Sequence, residues 1–134
     1  MRINIKIMPN DIDTVAKIVL IDEKGRVLML KRAKNLKKHP YKWDLPGGHL
    51  KEGETILKGL KREVKEETKL KIRDPILVSQ KKNTYFYMAK YDSQKIKLSH
   101  EHMAYSFISK DMLNKDDKYQ RIAIKALEMW NDKH

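Results

Sequence analysis

Apolar and polar positions fall into short strand-like blocks over most of this chain and switch to a helical period twice. Thr14 to Ile21 and Arg26 to Lys31 are apolar runs rich in branched side chains, and the intervening Asp22-Glu23-Lys24-Gly25 predicts a hairpin turn. A polar stretch from Lys34 to Lys42, containing Pro40, reads as a loop leading to Trp43-Asp44-Leu45. Ile56, Leu57, Leu60 and Val64 then recur at helical spacing and predict an amphipathic helix. Beyond Pro75, Ile76 to Gln80 and Thr84 to Tyr91 predict a second hairpin, turning at Lys81-Lys82-Asn83, and Met103 to Ile108 a further strand. Tyr119 to Trp130 places Ile122, Ala123, Ala126, Leu127 and Trp130 on one helical face, as expected of a helix docked on a sheet. The order is compatible with an α/β sandwich, and no repeat, low-complexity tract or linker interrupts it.

The polar face of the first helix carries the chemistry. At about 100° per residue, Glu63, Glu66 and Glu67 share one side, while Lys58, Lys61, Lys65 and Lys69 occupy another. Two carboxylates about 6 Å apart at an effective dielectric near 20 repel by roughly 3 kcal/mol. The lysines on the far side do not relieve that; a hard divalent cation with oxygen ligands would. The Leu45-Pro46-Gly47-Gly48 loop delivers the chain toward the helix, and its glycines permit close approach of backbone to a ligand. Gly59 lies on the carboxylate side one turn before Glu63, where the missing side chain is expected to leave room above a metal.

From Gly48 to Leu70 the residues resemble the signature of the Nudix hydrolases: Gly, five residues, Glu, seven residues, then Arg-Glu-aliphatic-any-Glu-Glu-any-Gly-aliphatic. Gly48, Glu54, Arg62, Glu63, Val64, Glu66, Glu67 and Leu70 match at every spacing. Lys69 stands where the family usually has glycine, so either the helix runs on or lysine adopts a left-handed conformation at a cost of about 1–2 kcal/mol. The resemblance implies an α/β/α sandwich with a mixed β-sheet, a single domain over residues 1–134, and Mg²⁺- or Mn²⁺-dependent cleavage of a pyrophosphate bond in a nucleoside diphosphate linked to another group. It assigns metal binding to Glu63, Glu66, Glu67 and the carbonyl of Gly47, and the orienting of a glutamate to Arg62. Glu54 is expected to act behind the metal or through a water. Glu63 is the chosen general base, with Glu101, on the loop before the late strand, as the second candidate; a solvated loop charge is the competing reading of Glu101. For substrate contacts the resemblance points to Arg32 and Tyr87, the glycine loop to Gly48, and the aromatic character of Trp43 to base stacking, although aromatic residues in strands more commonly belong to a core. Tyr85 and Tyr87 share one strand face, opposite Phe86 and Met88.

Composition narrows the partners. Among 134 residues there is no cysteine, which excludes disulfides and thiolate metal sites and points to a cytoplasmic protein. No apolar run is long enough to span a bilayer, and the N-terminus lacks a signal-peptide core. The net charge of +12 includes Lys31, Arg32, Lys34, Lys37 and Lys38 in one stretch, followed by His39. That stretch suits either the steering of a small polyphosphate or contact with a nucleic acid end. The expected partner is a small nucleotide, handled by a monomer or homodimer. The alternatives are an RNA 5′-end pyrophosphohydrolase of decapping type and a nucleotide-sensing module without turnover; the intact glutamates weigh against the last.

Overall fold

The computed structural model describes residues 13–133. Strand β1 (Val15–Ile21) runs through the middle of a mixed sheet and is buried along nearly its whole length. Asp22 then turns the chain, its carboxylate accepting from the backbone N–H groups of Lys24 and Arg26 at 3.0 and 2.8 Å. This leads into β2 (Val27–Arg32). The expected hairpin is only a corner: β1 and β2 are antiparallel partners at Ile21 and Val27 and then diverge. Two short strands fill the divergence. β3 (Trp43–Asp44) pairs with the end of β2, and β4 (Gly47–His49) pairs with the start of β1.

Helix α1 (Ile56–Thr68) follows, capped at its start by the Thr55 hydroxyl, which accepts from the Lys58 N–H. Of its expected apolar stripe, Ile56, Leu60 and Val64 are at 3% exposure or less, while Leu57 is partly buried at the edge of the core. The helix stops at Lys69, which takes the left-handed conformation at φ 66° and ψ 9° and donates its N–H to Lys65. β5 (Ile76–Lys81) and β6 (Thr84–Lys90) form the expected second hairpin, and β6 lies parallel to β1 along seven register pairs. β7 (His102–Ile108) adds to the outer side of β2, and α2 (Lys118–Lys133) closes the described chain.

Strand alternation sends side chains to two cores. On one face, α1 packs on Ala16, Ile18, Leu20, Leu28 and Leu30; on the other, Ile122, Ala123, Ala126 and Leu127 of α2 pack on Val19, Met29, Phe86 and Met88. The result is the α/β/α sandwich with a mixed sheet. No helix among the described residues is long and apolar enough to cross a membrane.

Candidate active site

Where β1 and β2 part, a cavity of about 610 Å³ opens, within the usual size of a small-ligand pocket. Carboxylates enter from α1: Glu63, Glu66 and Glu67, as their helical spacing predicts. Gly47 and Gly48 face them from β4. Contact requires glycine at Gly47, whereas at Gly48 an added side chain would displace Glu63. A Cβ on Gly47 would lie 2.1 Å from the Ala16 carbonyl oxygen, and one on Gly48 would lie 2.7 Å from Oε2 of Glu63. Gly59 serves a different purpose from the one expected. The space it leaves is filled by Leu50, whose Cγ would be 2.5 Å from an added Cβ, and by Glu54. It therefore lets the β4–α1 connection close onto the helix.

Arg62 organises the acidic wall. Its Nε and Nη2 donate to both oxygens of Glu54 at 2.7 and 3.0 Å, while Nη1 reaches Glu63 and Glu66 at 3.1 Å. Nη2 also donates to the His49 carbonyl at 3.2 Å. The guanidinium holds the Glu54 carboxyl below the usual carboxylate range. Glu63, half-buried, is instead pushed above it, chiefly by burial. Glu67 is 6% exposed and burial raises its pKa to about 8, against the opposing pull of the Gly47 N–H that donates to Oε1 at 2.8 Å.

These hard oxygen donors, one of them buried where ionisation is costly, fit a hard divalent cation. Among the described residues no three acidic or imidazole groups converge on one point. The reason is visible in the hydrogen bonds: Arg62 draws Glu54, Glu63 and Glu66 to itself, and Glu67 is turned toward Gly47. Ligation thus requires carboxylates to rotate away from these partners.

Glu101 lines the same cavity from the turn before β7. The turn is tied down on two sides, by the Ala33 N–H donating to the Glu101 carbonyl at 2.9 Å and the Ser99 N–H donating to the Glu67 carbonyl at 3.0 Å. Next to it, His102 is 5% exposed and neither ring nitrogen has a hydrogen-bond partner among the described residues. Burial holds its pKa below the ordinary histidine value.

Of the expected substrate contacts, Arg32 and Gly48 line the cavity. Arg32 is engaged already, donating from Nε to the Lys38 carbonyl at 3.1 Å and from Nη1 to Asp44 at 3.5 Å. Trp43 and Tyr87 do not line it. Alternation along β3 turns Asp44 inward, so Trp43 packs against the α2-side core, and Tyr87 packs against the α1-side core. Sequence reasoning missed Lys17, Asp44, Lys42, Lys118 and Tyr119, which line the cavity from four elements or loops. Lys17 and Asp44 form a buried pair at 2.9 Å, and the Tyr119 ring lies between Lys17 and Lys118, with ammonium groups 5.2 and 5.5 Å from its centre. A lysine inside an otherwise apolar strand was the available signal for the first of these.

Comparison with known proteins bears on this arrangement. The NUDIX domain model matches residues 12–128. The chain belongs to the Nudix family. It is 32% identical over 108 residues to an uncharacterized Nudix hydrolase of Listeria innocua, covering 80% of this chain and 56% of that protein. An m7GpppN-mRNA hydrolase of Xenopus laevis is 32% identical over 69 residues, 52% of this chain and 23% of that one. The chain thus spans about half or less of the length of these curated relatives. Among solved structures, a MutT protein of Methanosarcina mazei superposes with a TM-score of 0.69 at 28% identity, covering 88% of this chain and 94% of that one.

Proposed function

We propose that this Nudix chain, acting as a single cytoplasmic domain, is a pyrophosphohydrolase that cleaves a nucleoside diphosphate linked to a further group. One observation carries the reading: the carboxylate face of α1 meets Gly47 and Gly48 of β4 in a cavity of nucleotide size. Hydrolysis forms a bond from water oxygen to phosphorus and breaks the bridging P–O bond, and the leaving phosphate departs with the bridging oxygen. Mg²⁺ or Mn²⁺, held by Glu63, Glu66, Glu67 and the Gly47 carbonyl, would neutralise phosphate charge and acidify the attacking water. Glu63 takes the water proton, and its place on the carboxylate face of the cavity sets it toward the substrate. Arg62 holds Glu63 and Glu66 at the cavity wall until a cation takes them over, Glu54 keeps Arg62 in place, and Glu101, which lines the same cavity, is the second candidate base.

Incubation with a panel of nucleotides and Mg²⁺, with products separated by chromatography, tests the reading. Glu63→Gln should lower the catalytic rate by about 10²–10⁴-fold with a much smaller change in KM. Undiminished turnover in excess chelator would overturn the metal assignment.

The likeness to the Xenopus laevis mRNA hydrolase supports a second reading, in which the pyrophosphate bond is at an RNA 5′ end. Binding to capped or triphosphorylated RNA would then fall with salt more steeply than binding to free nucleotide.

A further inference from the structure

The acidic wall is one side of the cavity. Lys38, His39 and Lys42 enter from the loop between β2 and β3, and Lys118 from the first turn of α2. The other cations of the site have partners: Arg62 holds three glutamates, Lys17 is paired with Asp44, and Arg32 donates to Asp44 and the Lys38 carbonyl. Among the described residues Lys38, His39 and Lys118 have no carboxylate partner, and Lys42 has only Asp117, at 4.0 Å.

The loop is held toward the cavity at a conformational cost. His39 and Tyr41, either side of Pro40, both take left-handed backbone angles, φ 51° and 66°. Each such residue costs about 1–3 kcal/mol and persists only where its surroundings enforce it. Arg32 enforces it here. Its N–H donates to the Lys42 carbonyl, its carbonyl accepts from the Tyr41 N–H, and its side chain holds the Lys38 carbonyl. Across the opening, the Tyr119 ring supports the Lys118 ammonium.

We propose that Lys38, His39, Lys42 and Lys118 form a distal phosphate site, which makes a chain of three or more phosphates the substrate class. The inference rests on the pyrophosphohydrolase reading and specifies its substrate. The three lysines gathered here repel one another, and a polyanion relieves that repulsion. A diphosphate diester at the carboxylates would be neutralised there by a divalent ion. Every further phosphate adds negative charge, which the basic wall is placed to meet. The chain can belong to a free nucleotide or to a triphosphorylated RNA end, and the same wall would recognise either.

The test compares kcat/KM in Mg²⁺ for ADP-ribose, ATP, diadenosine tetraphosphate and a 5′-triphosphorylated oligoribonucleotide. The native chain should favour at least one of the longer-chain compounds over ADP-ribose by about tenfold or more, and Lys38→Gln combined with Lys118→Gln should remove most of that preference through KM. Which longer-chain compound leads identifies the source of the phosphates. Lys58→Gln with Lys61→Gln, on the solvent side of α1, should leave the preference intact. Equal loss in that control would mean that bulk charge is responsible and would overturn the site.

Calorimetric titration of the metal-free protein with inorganic tripolyphosphate and pyrophosphate supplies a readout independent of turnover. Tripolyphosphate should bind the more tightly, and the Lys38 and Lys118 double variant should lose that difference. If no compound is hydrolysed, the pyrophosphohydrolase reading fails while the titration still decides the anion site. If hydrolysis occurs without regard to phosphate number, only the distal site fails.

Discussion

The backbone N–H of Gly47 donates to Oε1 of Glu67 at 2.8 Å across the join between β4 and α1, where the carboxylate is 6% exposed. One hydrogen bond does not offset the loss of hydration, so the pKa rises to about 8. A carboxyl whose folded pKa is raised stabilises the fold fully below its unfolded value, and that contribution is lost as pH rises through the folded one. Metal-free protein should therefore lose stability between about pH 4.5 and about pH 8. Glu67→Gln retains an acceptor for Gly47 and should flatten this slope. Denaturant titrations in chelator across that range check it; identical slopes for both proteins would rule out Glu67 as the cause.

Arg62 makes the opposite kind of contribution. Because it holds the Glu54 carboxyl below its ordinary value, the pair stabilises the fold above about pH 4.5 and fails as pH drops through the lowered pKa. Lysine cannot reproduce the two-pronged bond. Arg62→Lys should cost about 1–2 kcal/mol near neutral pH and move acid unfolding to higher pH. Circular dichroism followed through an acid titration would show the shift.

The two glycines of β4 should separate scaffold from chemistry. Gly47→Ala drives a methyl into the backbone of Ala16 from a residue at φ 125°, and should destabilise by about 3 kcal/mol or more. Gly48→Ala meets only the movable end of Glu63. It should fold with near-native thermal stability yet turn over nucleotide at least tenfold more slowly, because Glu63 is displaced. Thermal melting alongside single-substrate kinetics distinguishes the two.

At the end of α1, Lys69 occupies the left-handed position that favours glycine. Lys69→Gly should raise stability by up to about 1 kcal/mol, the relief of side-chain strain exceeding the added freedom of the unfolded chain. The rate should barely change. A lower denaturation midpoint in the variant would show that the lysine side chain is worth more than the strain.

What the sequence determined by itself was local. The 3.6-residue period placed Glu63, Glu66 and Glu67 on one side of α1 beside the buried stripe, since both patterns arise within a single helix. Strand periodicity placed Tyr85 and Tyr87 on one face and Phe86 and Met88 on the other for the same reason. Whether Lys69 would end the helix stayed open, because the lysine penalty and the family's turn oppose each other at similar size; the fold resolved it in favour of the turn.

Only the tertiary structure decided which faces meet. The divergence of β1 and β2 after Ile21 and Val27 opened the cavity that Asp44 lines, while Trp43 and Tyr87 pack against the two cores. Gly59 faces Leu50 because the β4–α1 connection folds back on the helix. Lys118 and Tyr119 stand opposite the glutamates because α2 docks on the far side of the sheet. Contacts of that kind depend on how layers pack, and no period within one element records them.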